Sequence, residues 1–255
     1  MKESAPLRIP LIAGNWKMFK TATEAKETVG QLLQLAADIK NIDIMIAPPF
    51  TSLAVVADMV QNSGIDLGAQ NLHWAKEGAF TGEISAAMLV AAGCKYVIVG
   101  HSERRQYFGE TDDTVNRKLQ AASLAGLIPV MCVGETETQR DEKKTFSVLD
   151  KQIENGLKEL TFDAQHPLVV AYEPVWAIGT GKTASPDQVQ EVHFYLRQLI
   201  EKILGNVLAK ETRILYGGSV KPDNVKELMA LPDVDGALVG GASLQADSFS
   251  KIIHF

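Results

Sequence analysis

The 255-residue sequence is short of cysteine, of positive charge and of long apolar runs. Its two cysteines, Cys94 and Cys132, lie far apart, with no CxxC and no histidine cluster beside them. That pattern argues against a disulfide framework and a zinc site, and for a reduced cytoplasmic setting with no metal or other cofactor. No segment has the apolar length to span a bilayer, and the N-terminus lacks the basic, apolar and small-residue regions of a signal peptide. A formal net charge of −6 argues against nucleic acid or an anionic membrane as partner. An anionic substrate then needs a locally positive site.

What is present is the composition of a globular protein with a sizeable core, 46% hydrophobic and 22% charged. Short apolar runs recur at 9–14, 42–47, 65–70, 96–100, 127–133, 168–172, 213–216 and 236–239. They hardly alternate, as befits strands of a parallel sheet buried on both faces. Between them the period becomes helical. Ala25, Val29, Leu32, Leu33, Ala36 and Ile39 share one face, and Thr21 with Glu24 makes a capping box before it. Ser185, Pro186 and Gln188 give a stronger start signal ahead of Val189, Val192, Leu196, Ile200 and Ile203. Eight strands alternating with eight helical segments, without a linker, predict an α/β fold: a single closed (β/α)8 barrel over residues 1–255. A doubly wound sheet is the rival, but the first run leads into Asn15-Trp16-Lys17-Met18 rather than a glycine-rich nucleotide loop.

In a barrel the functional groups stand at the carboxyl ends of the strands. Those ends here deliver Asn15 and Lys17, then Gln70-Asn71 with a long loop through Phe80, Thr81 and Glu83. They also deliver His101-Ser102-Glu103, Cys132 and Glu173, then Gly217-Gly218-Ser219 and Gly240-Gly241. Glu173 opens the stretch EPVWAIGTGKTAS, in which Ile178-Gly179-Thr180-Gly181 forms an uncharged tip between stiff flanks. That is the composition of a lid beside a base, or of an ordinary surface loop. The glycine pairs after strands 7 and 8 suit backbone N–H binding of phosphate, or tight turns alone. Lys17 is a substrate cation or a surface lysine. His101 is structural, or an electrophile kept neutral by a helix N-terminus. Ser102 and Glu103 are a helix cap and dipole partner, or a supporting layer around Lys17 and His101. A carboxylate, a histidine, a lysine, a phosphate cradle and a lid together fit proton abstraction beside a carbonyl on a small phosphorylated substrate.

The stretches NWKM at 15–18, VIVGHSERRQYFG at 97–109, AYEPVWAIGTGKT at 171–183, YGGSV at 216–220 and DGALVGGAS at 235–243 resemble the triosephosphate isomerase family. The resemblance covers essentially the whole chain and departs at Phe19, at His73-Trp74 and at Arg140-Asp141. It implies interconversion of dihydroxyacetone phosphate and glyceraldehyde 3-phosphate through an enediolate, in glycolysis and gluconeogenesis. Glu173 would be the base, neutral His101 the electrophile, Lys17 and Asn15 the substrate-binding pair. Gly179, Ser219, Gly240 and Gly241 would hold the phosphate, with Ser102, Glu103 and Cys132 in support. The glutamate–histidine pair and the closing lid are established features of that family, so these roles are carried over by resemblance. It further implies a homodimer in which Phe80 and Thr81 insert beside the partner's site. An isomerase of another sugar phosphate and a non-catalytic phosphate-binding barrel are the competing readings.

Overall fold

The computed structural model describes residues 8–163 and 167–255; the remainder of the expected 1–255 unit lies outside the described residues. Eight parallel strands close on themselves in sequence order. They are β1 (Leu11–Asn15), β2 (Asp43–Ala47), β3 (Ile65–Ala69), β4 (Tyr96–Val99), β5 (Ile128–Val133), β6 (Val169–Tyr172), β7 (Arg213–Tyr216) and β8 (Gly236–Val239). Closure is made by β1 on β8, with Leu11 opposite Gly236 and Gly14 opposite Val239.

The lack of alternation in the sequence has a direct cause. Side chains alternate along each strand, but both destinations are dry. Leu11, Ala13, Met45, Tyr96, Ile98, Val130, Cys132, Ala171 and Leu215 pack together in one core cluster, inside the barrel. Ile12, Ile44, Ile46, Val97, Val99, Met131, Val170 and Ile214 pack in a second, against the helices. At the amino end of the strands Arg213 ties Asp43 (2.6 Å) to the Tyr96 hydroxyl (3.1 Å).

The expected strands are all present, with edges moved by one or two residues. β5 ends at Val133, not Cys132, and Glu173 lies just beyond β6, although its N–H still reaches the Val133 carbonyl at 2.7 Å. The helices are more numerous than expected: eleven among the described residues. Three connections break in two, the first of them into Ser102–Tyr107 and Asp112–Leu124 after β4. Gly109, at φ +65°, lies in that break, where a left-handed residue ends helical propagation. The expected face of the first helix extends past its end, since the helix covers Ala22–Leu35 and Ala36 is its cap.

Both predicted capping boxes form. Ser185 Oγ accepts from the Gln188 N–H (3.3 Å) while Gln188 returns a bond to the Ser185 N–H (3.0 Å). This cap starts the long helix Pro186–Leu204 immediately after the lid stretch. Ser185→Ala should cost about 1 kcal/mol, lowering the thermal midpoint by about 2–4 °C. Ser185→Asp should retain it. Equal melting curves for the alanine variant and the parent would show that this cap adds no stability.

Candidate active site

At the carboxyl ends of the strands lies a cavity of about 290 Å³ lined by Asn15, Lys17, His101, Glu173, Gly179, Ser219, Gly240 and Gly241, among others. A larger cavity of about 640 Å³ lies on the other side of Glu173 and shares only that residue with it. The smaller one gathers the residues expected to act together, so it is the candidate site.

Asn15 ends β1 and is buried. Lys17, two residues on, has φ +52°, a conformation that strains any residue with a side chain. Its surroundings hold it there. Its N–H donates to Asn15 Oδ1 (3.0 Å), and Gln70 Nε2 donates to its carbonyl (2.8 Å) and to that of Ala47 (2.9 Å). Lys17 Nζ meets Glu103 Oε1 at 2.6 Å.

Glu173 is almost wholly buried, at 2% exposure. Its Oε1 lies 2.9 Å from His101 Nε2, and its Oε2 accepts the Ser102 N–H at 2.8 Å. Two glycines make room for it. A Cβ on Gly134 would stand 1.8 Å from the Glu173 carbonyl oxygen, and one on Gly217 would stand 2.9 Å from its Cγ. Burial works to raise the carboxyl pKa, but His101, the Ser102 N–H and Lys17 outweigh it and leave it below the ordinary value.

Cys132 is fully buried beneath this group, and burial, with Glu173 nearby, pushes its thiol pKa well up. That is the state of a packing residue rather than a thiolate. Ser219 and Gly179 line the cavity, and among the described residues no acceptor is paired with either N–H. Gly240 and Gly241 lead into a single 3₁₀ turn, Gly241–Leu244. After β7 the next helix, Val225–Met229, begins well beyond Ser219, so the donors there are loop amides rather than a helix start.

Residues 10–255 match the sequence profile of the triosephosphate isomerase family. The chain belongs to that family. The triosephosphate isomerase of Geobacter metallireducens is 55% identical over 249 residues, 98% of this chain and 99% of that one. That of Trichlorobacter lovleyi is 54% identical over the same shares. The crystal structure of triosephosphate isomerase from Bartonella henselae superposes with a TM-score of 0.88 at 39% identity, covering 96% of this chain and 99% of its own. The enzyme is therefore an isomerase of glycolysis that interconverts dihydroxyacetone phosphate and D-glyceraldehyde 3-phosphate.

Two features of the site had no signal in the sequence. One is a buried cluster at the start of the stretch 173–185. Glu135 accepts from the Tyr172 hydroxyl (3.1 Å), Trp176 Nε1 (3.0 Å) and Arg140 (2.9 Å), and its carbonyl accepts the Val175 N–H (3.1 Å). The other is the ion pair of Lys182, beyond the glycines of that stretch, with Glu137. Both join segments about forty residues apart, so no local spacing reveals them.

His101 differs from expectation in its titration. Its Nδ1 accepts the Glu103 N–H at 3.2 Å, which places the ring proton on Nε2, facing Glu173. Burial, the largest influence, opposes the charged ring, yet the Glu173 and Glu103 carboxylates outweigh it and lift the pKa above the ordinary value. A helix N-terminus alone was expected to hold it low; the Glu173 carboxylate in contact with the ring reverses the sign. In the unliganded enzyme ¹⁵N NMR should place the His101 pKa above that of an ordinary exposed histidine. Glu173→Gln should lower it, since burial and Lys17 then meet only Glu103 in opposition. An unchanged pKa in that variant would show that Glu173 is not the cause.

Proposed function

We propose that Glu173 is the base that moves the proton between C1 and C2 of the triose phosphate, and that His101 polarises the carbonyl. The observation that carries this is the bond between Glu173 and His101 Nε2 at 2.9 Å within the cavity that also holds Lys17 and the glycine turns. A substrate carbonyl oxygen at His101 Nε2 displaces the carboxylate. Glu173 then loses one of the partners that hold its pKa down and becomes a stronger base as the C1 proton comes within reach. Removing that proton leaves an enediolate whose oxygens meet His101 Nε2–H and Lys17 Nζ. Moving the hydroxyl proton from O1 to O2 through His101 Nε2, and returning the carbon proton to C2, gives the aldehyde. No other group need be consumed.

Asn15 orients the substrate beside Lys17, and Glu103 keeps Lys17 extended toward it. The N–H groups of Gly179, Ser219, Gly240 and Gly241 hold the phosphate. Ile178–Gly181 closes as a lid; Gly179 (φ +69°) and Gly181 (φ +81°) supply backbone freedom between the Glu135 cluster and the Ser185 cap. Closure also keeps water from the enediolate, which otherwise eliminates phosphate. The whole chain, 1–255, acts as one domain and without a cofactor. Cys94 and Cys132, both free and buried, fit a cytoplasmic protein, and no helix among the described residues is long and apolar enough to cross a membrane.

Glu173→Asp withdraws the carboxylate by on the order of 1 Å and should lower kcat roughly 10²-fold, about 2.7 kcal/mol of barrier, with little change in KM. Steady-state kinetics with glyceraldehyde 3-phosphate checks it. A near-normal kcat, with chemistry shown to be rate-limiting, would remove Glu173 from the role.

The same reading includes a homodimer. Phe80 is half-exposed in the strand-3 loop, its ring tilted against His73, which stacks on Trp74. A small cavity beside Lys17 is rimmed by exposed Met18, Phe50 and Phe108. Apolar surface of this kind around a catalytic lysine suits burial by a second copy, with its Phe80 and Thr81 inserted there. Sedimentation velocity at micromolar concentration should show twice the chain mass of 27.7 kDa. A fully active 27.7 kDa species would show that the loop serves its own barrel.

A further inference from the structure

The substrate carries close to two negative charges at neutral pH, because the second ionisation of a phosphate ester lies near pH 6. The protein it approaches has a formal net charge of −6. Capture therefore depends on local cations. Two lysines line the cavity, Lys17 and Lys221. Lys17 is already bonded to Glu103, so much of its field is cancelled at a distance. Lys182, the charged residue at the end of the lid, is likewise paired with Glu137. Lys221 is exposed, and among the described residues it meets no carboxylate.

Its backbone is fixed where a phosphate-directed cation should stand. It follows Gly217–Val220 in the wall of the cavity, beside the amide of Ser219. One side chain clamps both residues: Asn224 Oδ1 accepts the Lys221 N–H (2.8 Å), and Asn224 Nδ2 donates to the Ser219 carbonyl (2.9 Å). The loop that offers the Ser219 N–H thus carries Lys221 in fixed register with it.

We propose that Lys221 is a specificity-determining residue for phosphorylated substrates, drawing the dianion to the phosphate end of the cavity without taking part in proton transfer. This rests on the assignment of the cavity as the triose phosphate site. A cation acting at a distance gains most in low salt. For a dianion at ~8 Å in water the Coulomb attraction corresponds to about sixfold in capture, and screening over a Debye length of about 8 Å reduces that to about twofold.

The test is Lys221→Gln, with Lys221→Glu, Lys221→Arg and Lys151→Gln beside it. Lys151 is exposed on the helix Thr145–Gly156 and lines the larger cavity rather than this one, so its replacement changes net charge without altering the phosphate end of the site. The reaction of glyceraldehyde 3-phosphate is followed from about 10 mM to about 150 mM ionic strength. Lys221→Gln should lower kcat/KM about fourfold at the low end and about twofold at the high end, with kcat unchanged. Competitive inhibition by inorganic phosphate should weaken by the same factors. Lys221→Glu should lose more, while Lys221→Arg and Lys151→Gln stay close to the parent. With unphosphorylated glyceraldehyde the Lys221 variants should match the parent. No loss, a loss independent of salt, an equal loss from Lys151→Gln, or an equal loss with glyceraldehyde would each overturn the proposal. A parent enzyme that turns over triose phosphate normally while Lys221→Gln matches it would refute Lys221 alone. A Glu173→Asp variant with normal chemistry-limited kcat would instead refute the assignment of the site.

Discussion

The site depends on keeping one ionised carboxylate, that of Glu173, almost completely out of water. An unpaired carboxylate cannot be buried at 2% exposure without a heavy desolvation cost, so its surroundings must stabilise the charge. They do so with the ring of His101, the N–H of Ser102 and the charge of Lys17. The two histidine–glutamate shifts have opposite linkage. Glu173, lowered on folding, stabilises the fold above its unfolded pKa, and that contribution is lost as pH falls through the folded value. His101, raised on folding, contributes fully below its unfolded pKa and loses its share as pH rises through the folded value. The window in which both contribute lies between the ordinary carboxylate and imidazole values. Above it the pair relaxes toward an ionised glutamate beside a neutral ring, the state the proposed proton abstraction uses.

Around that carboxylate the chain alternates between fixed and free segments for physical reasons. The approach to the lid is pinned, since Val175 and Trp176 both bond to buried Glu135, and Arg140 stacks over the Trp176 ring at 4.8 Å. The exit is pinned by the Ser185 cap and by the pair Lys182–Glu137. The glycines at positive φ lie between these anchors. A segment so held can change shape without changing where it begins or ends, as the proposed lid requires. Lys17 follows the opposite principle. Its backbone is strained and clamped by Asn15 and Gln70, which fixes where the ammonium group can reach. Strain at such a position is tolerated because the neighbouring elements over-determine it.

How much of this the sequence discloses varies with the range of the interaction. Apolar runs without alternation gave eight strands, and both capping boxes formed, because each is set within a few residues. The residues at the strand ends were legible for the same reason: a barrel puts every strand terminus on one face, so order along the chain gives proximity in space. The broken helices were not legible, since left-handed Gly109 is locally indistinguishable from a tolerated helical glycine. Nor was the sign of the His101 shift. It depends on a contact between residues 72 positions apart (101 and 173) that a helix-end argument omits. Glu135 belongs with these: a glutamate after a strand reads as solvent-facing until Tyr172, Trp176 and Arg140 converge on it.

The division of labour between charge and backbone N–H groups follows from what each does as the reaction proceeds. The phosphate keeps its charge from substrate to product, so groups that bind it act alike on every state and do not by themselves lower the barrier. Loop amides suit that role, because they need no counter-charge and stay in place once Asn224 and the strand ends fix the loop. The carbonyl oxygen, in contrast, gains charge only as the C1 proton leaves. A lysine and a histidine directed there strengthen their contacts in the transition state, where stronger binding accelerates the reaction. A full positive charge in direct contact with the phosphate would tighten substrate and product together and slow release, whereas the exposed Lys221 acts from a distance. The structure pairs Lys17 with Glu103 and His101 with Glu173, and its glycine turns carry no charge of their own beside the exposed Lys221. In the proposed mechanism, binding at the phosphate stabilises the closed lid, and closure brings Glu173, freed from His101 by the substrate, against the carbon that loses its proton.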